Sequence, residues 1–191
     1  MLKEIIKETT DAVVAAVQGA DDIMNAITGT VKDQVVHVFK ETGEAGTAGL
    51  DSIAGVTSGA IQGVGKIGAS ITDATQQIMH GAITGVSTVG GDIISATRNA
   101  AHGVIQATSE TGGDIGKVAV STVEGAIKAA GEVGADTAKA AQAAVGGTLD
   151  AAGDMGGDAA EKVRSALLAS AALPRDVIES AIKGHHTSKR S

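Results

Sequence analysis

Residues 79–92 read Met79-His80-Gly81-Ala82-Ile83-Thr84-Gly85-Val86-Ser87-Thr88-Val89-Gly90-Gly91-Asp92. Met79, Ile83, Val86 and Val89 recur at three- and four-residue steps, the spacing that puts apolar side chains on one face of an α-helix. Gly81 and Gly85 stand one turn apart on another face. Gly90-Gly91-Asp92 then decides the fold, because a helix either runs through the glycines or stops there and restarts with Asp92 as N-cap.

Working outward, the same punctuation returns at Gly112-Gly113-Asp114, Gly134-Ala135-Asp136 and Gly156-Gly157-Asp158. Rows of eleven drawn from Leu2 keep one phase down the chain, and one column reads Ile6, Val17, Thr28, Phe39, Leu50, Ile61, Thr72, Ile83, Ile94, Ile105. Eleven residues in three turns is about 3.67 per turn, close to a relaxed α-helix. The five most apolar columns fall within an arc of roughly 130°. The opposite side is thin, with Gly81, Gly103, Gly125 and Gly147 alternating with Asp92, Asp114, Asp136 and Asp158. In the centre of the apolar stripe Gly68, Gly90, Gly112, Gly134 and Gly156 alternate with Met79, Ala101, Val123 and Val145, a period of twenty-two that reads as gaps for knobs of a neighbouring helix.

An all-α fold is predicted. Because loops need not conserve helical phase, the unbroken rows favour a long, nearly continuous amphipathic helix over 1–173, packed with other copies in a homo-oligomeric bundle, tube or filament. The alternative is a set of short helices joined at Gly-Gly-Asp turns, with each Asp an N-cap and Asp158 at capping-box spacing from Glu161. Pro174 marks a helix stop or restart, leaving a short helix over 174–183 and a disordered basic tail over 184–191.

Composition narrows the function classes. The 191 residues contain one Phe, no Tyr and no Trp, while 27 are Gly. Small apolar residues pack helices closely but do not fill a thick interior, so an enzyme with a formed pocket is not expected. The net charge of −7 disfavours nucleic acid as a partner. No Cys is present, which removes disulfides, thiolate metal sites and Cys nucleophiles. Met1-Leu2-Lys3-Glu4-Ile5-Ile6-Lys7-Glu8 has charges between its apolar pairs, unlike a signal peptide, and no run suits a membrane span. A cytoplasmic protein is expected, with peripheral membrane association as a second reading. Gly costs about 1 kcal/mol against Ala inside a helix, so stability must come from packing.

Motifs of chemistry are scarce. Gly63-Val64-Gly65-Lys66-Ile67-Gly68 matches GxGxxG as a string, but no strand precedes it, and repeat-column glycine is the better reading. His80 and His102 share a column and would lie about 33 Å apart on one helix, too far to share a metal. No catalytic, cofactor or metal residue is assigned, and no cofactor is expected. Gly55, Gly59 and Gly63 make two GxxxG steps, and Gly81 with Gly85 makes another, which predicts a close helix-packing seam. Self-association is assigned to these five, to Gly68, Gly90, Gly112, Gly134 and Gly156, and to Ile83, Ile94, Ile105 and Ile127.

Residues 30–38, 81–91 and 122–126 resemble the eleven-residue repeats of synucleins, and the period is similar to that of late-embryogenesis-abundant proteins, perilipins and phasins. The resemblance implies a chain that becomes helical on lipid, on drying or on a droplet. This sequence departs from it by lacking regular Lys rows beside the apolar stripe. The leading expectation is a non-enzymatic scaffold whose partner is itself, and which organises a larger complex. A lipid-surface or granule coat is second, and a conditionally folding stress-protective protein third.

Overall fold

A computed structural model describes residues 2–188 apart from Gly19, Asp21 and 43–46. The described residues form nine α-helices and no strand: α1 (Leu2–Gln18), α2 (Ile23–Thr42), α3 (Thr47–Lys66), α4 (Ile71–Thr88), α5 (Ile93–Glu110), α6 (Ile115–Glu132), α7 (Thr137–Met155), α8 (Gly157–Ala169) and α9 (Arg175–Ser188). None is long and apolar enough to cross a membrane.

The nearly continuous helix is therefore corrected to the segmented alternative. At Gly90 φ is +71°, a left-handed value that glycine adopts without Cβ strain. There the Gly91 N–H donates to Val86 O at 3.0 Å and the Gly90 N–H to Ser87 O at 3.2 Å, the paired bonds of a Schellman C-cap. Asp92 Oδ1 then accepts from the N–H groups of Ile94 and Ser95 at 3.0 and 3.1 Å and starts α5. The same turn recurs at Gly112 with Asp114, and at Gly134 with Asp136. Helices α4, α5 and α6 each have 18 residues, and α4 to α7 begin 22 residues apart. Turns of fixed length conserve the eleven-residue phase, so an unbroken phase did not require an unbroken helix.

Asp158 departs from the pattern. Helix α7 runs to Met155, only Gly156 separates it from α8, and Asp158 falls inside the first turn of α8 with no side-chain cap at Gly156. Pro174 lies between α8 and α9, and its carbonyl accepts from Val177 and Ile178 N–H groups at 3.1 Å. Helix α9 extends through Ser188, so 184–188 continue the C-terminal helix; 189–191 of the expected tail lie outside the described residues.

Each helix packs against its chain neighbour and, except for α6, which meets α7 more than α8, more extensively against the helix two along. The odd-numbered helices thus form one layer and α2, α4, α6 and α8 the other. Between them lies a core of small and branched side chains, including fully buried Ile27, Ile53, Ile61, Ile78, Ile83 and Ile105. Buried threonines fit there because their hydroxyls donate back along their own helix: Thr75 to Ile71 O, Thr97 to Ile93 O and Thr122 to Val118 O, all at 2.7 Å.

Within a layer the glycines set the approach. A Cβ at Gly59 would stand 2.5 Å from Ile6 O, and one at Gly81 would stand 2.6 Å from Thr28 O. Gly103 abuts Ala54 O, Gly125 lies against Gln76 and Gly147 abuts Arg98 O. No side chain fits at such a distance from a neighbouring backbone, so these pairs pack only through glycine.

Candidate functional site

The helices bring most of the sequence-assigned residues together, but inside the chain. Gly55, Gly59 and Gly63 on α3 face Leu2, Ile5, Ile6, Thr9, Thr10 and Val13 of α1. Gly81 and Gly85 on α4 face Thr28, Val31, Lys32 and Val35 of α2. Gly68, Gly90, Gly112, Gly134 and Gly156 are not gaps in a stripe; they have positive φ in the connections, and a Cβ there would meet nothing within 4 Å. Their alternation with large residues reflects alternation between turn and mid-helix. Ile83 and Ile105 are in the core, whereas Ile94 and Ile127 are half-buried. The GxGxxG string lies at the C-terminal end of α3 and its turn, where helix amides are already bonded, so it forms no phosphate cradle.

The outer faces of the layers carry polar links between helices two apart. On the even layer His80 Nε2 contacts Glu132 Oε2 at 2.5 Å and Gln76 Nε2 donates to Glu124 Oε2 at 2.8 Å. On the odd layer His102 Nε2 lies 3.2 Å from Asp154 Oδ2, and Arg98 Nε donates to Asp150 Oδ2 at 3.1 Å. His185 Nε2 of α9 lies 2.8 Å from the other oxygen of Asp150. His80 and His102, equivalent in the sequence, are thus equivalent in space, each facing a carboxylate 52 residues on.

Electrostatics follow these contacts. Burial pushes the Asp150 carboxyl upward, but hydrogen bonds from His185 and Arg98 outweigh it and leave the group below its ordinary range. Asp114 is lowered chiefly by Lys162 of α8, whose Nζ lies 3.2 Å away, and Asp92 chiefly by the Ser95 hydroxyl.

Shallow grooves run between these links. One of about 570 Å³ crosses α3 where its side chains are small, bordered by Leu2 and Ile5 on one side and Asn99, His102 and Gln106 on the other. A second, of about 350 Å³, contains Arg98, Gln142, Asp150, Ser180 and His185. Among the described residues no group of three or more His, Cys, Asp or Glu converges as a metal site.

No family model and no curated protein matches this chain.

Sequence reasoning missed the cross-helix links and the part played by Gly103, Gly125 and Gly147. The signal for the latter was present, because all three share a column with Gly59 and Gly81. Helices α5, α6 and α7 follow that glycine with Ala107, Ala129 and Ala151 one turn later, so no GxxxG step marks them.

Proposed function

We propose that the protein is a non-enzymatic scaffold that self-associates and organises a larger complex, using the outer faces of its two layers. The observation that carries this is the use of the glycine seam inside the chain, which leaves the layer faces, with their grooves and polar links, as the surfaces for other copies. The edge of the stack beyond α2 supports the same choice. Where α4 sets Gln77, Gly81 and Gly85 against α2, the equivalent positions of α2 are exposed Asp33, His37 and Glu41. A charged face of that kind opposes addition of another helix edge to edge. Stack units with open faces suit a protein that holds partners in place. The same structure favours a scaffold over a lipid coat, because the apolar stripe a coat would lay on lipid is committed to the core.

Light scattering on the full chain tests the reading. Particles heavier than the 18.7 kDa chain are expected, and Asn99→Arg with Gln106→Arg on the odd face should reduce their mass with the helical signal unchanged. A monomer at every concentration would exclude self-association.

A further inference from the structure

Departures from the repeat converge at one place on the odd layer. At steps of 22, one outward row reads Ala54, Gln76, Arg98, Val120 and Gln142, and the row one turn on reads Ser58, His80, His102, Glu124 and Gly146. Arg98 is the only charged residue of the first row, and Gly146 is the only position of the second without a side chain. Helix α9 departs as well. Two steps of 22 from Thr137 reach 181, but α9 starts at Arg175. Arg98, Gly146 and α9 meet at the hollow of about 350 Å³ between α5, α7 and α9. In a chain otherwise governed by packing, such breaks in the local rule point to a site.

The guanidinium lies against the backbone of α7, where a Cβ on Gly146 would stand 3.3 Å from Arg98 Nη1 and 3.4 Å from Cζ. Its Nε and Nη2 donate to Asp150 Oδ2, and the other oxygen of Asp150 takes His185 Nε2 at 2.8 Å. Both oxygens of Asp150 are thus engaged, but only one edge of the guanidinium is. The Nη1–Nη2 edge, which matches a further oxoanion with two parallel hydrogen bonds, has no partner among the described residues. Gln142 and Ser180 line the same hollow, and neither side chain has a hydrogen-bond partner among the described residues.

We propose that this hollow binds a small oxoanion, a carboxylate or a phosphate, on the free edge of Arg98, with the Gln142 amide and the Ser180 hydroxyl as neutral donors. Asp150 cancels the charge of Arg98 and fixes its plane, so recognition rests on the geometry of the fork rather than on net charge. His185 holds α9 over the site through the same carboxylate. The volume suits a small molecule bearing such a group. An anion seated there touches α5, α7 and α9 together and stabilises the docked position of α9. The site lies within one chain and is independent of the scaffold reading.

NMR shifts of the backbone amides and arginine Nε–H groups of the full chain test it, in separate titrations with sodium phosphate and sodium acetate at ionic strength held constant with sodium chloride. Saturable shifts at Arg98, Gly146 and Ser180 are expected at millimolar concentration. Saturation by phosphate alone assigns a phosphate group, by acetate alone a carboxylate, and by both the chemistry they share. Arg98→Lys, which keeps the charge without the fork, should weaken binding about tenfold. Gly146→Leu, which fills the hollow and displaces the guanidinium, should abolish saturation. The three atoms nearest a Cβ there all belong to the movable end of Arg98, so that variant keeps its helical signal. His80→Gln, on the other layer, should bind as the wild type does. Shifts that stay linear in concentration with both anions, or saturation unchanged in Arg98→Lys and Gly146→Leu, overturn the proposal.

Discussion

The carbonyl oxygen of Thr28 lies 2.6 Å from the point where a Cβ on Gly81 would stand. No side chain fits there without parting α2 from α4. Gly81→Ala is expected to lower stability by roughly 1–3 kcal/mol despite its better helix propensity, because the methyl overpacks against backbone. Gly29, inside α2 with nothing within 4 Å of its Cβ position, makes the control. Gly29→Ala should raise stability by roughly 0.5–1 kcal/mol. Urea unfolding of the two variants should give shifts of opposite sign.

Turn glycines answer to a different test. Gly112 has φ of +74° and open space around its Cβ position, so only backbone conformation opposes a side chain. Gly112→Ala is expected to cost roughly 1–2 kcal/mol, and Gly112→Asn less, because Asn tolerates the left-handed region better. Equal costs for the two variants would contradict a left-handed turn at this position.

Acid should loosen the stack through specific carboxylates. Asp92, Asp114 and Asp150 have folded-state pKa values below their ordinary ones. Their contribution to stability is therefore fully present above the unfolded value near 4 and is lost as pH falls through the lower folded values. Thermal melts should fall steeply below about pH 4. Asp114→Asn keeps a capping side chain while removing the charge that holds Lys162, so it should flatten part of that slope and leave stability at neutral pH lower by less than about 1 kcal/mol.

A stack in which helices touch only near neighbours should not open uniformly. Helices α3 to α7 have a layer partner on each side, whereas α1, α2, α8 and α9 have one. Amide hydrogen exchange is expected to be slowest in α4 to α6 and faster in α1 and α9. Uniform protection along the chain would show a single cooperative unit instead.

The turns were legible in the sequence as an alternative but not as the choice. Gly90, Gly91 and Asp92 have the residue types of a C-cap followed by an N-cap, yet the same residues keep the eleven-residue phase. Phase is conserved by a straight helix and equally by turns of constant length, so it could not separate the two. The links between His80 and Glu132, or Arg98 and Asp150, were not legible. A span of 52 residues acquires meaning only once the helices fold back on one another.

By itself the sequence determined that the chain is helical and that glycines at 59, 81, 103, 125 and 147 share a thin face opposite one apolar stripe, because helical periodicity fixes the direction of each side chain. It also determined the twenty-two-residue spacing. Only the tertiary structure decided what that face meets. A glycine face fits a neighbour from the same chain or from another copy by the same contacts, and periodicity contains no term that separates them. Short turns decide it, since a helix tethered two positions away is present at a far higher effective concentration than one on a second molecule. In this fold the glycine face is therefore spent on the chain's own helices, and the outer faces of the layers remain.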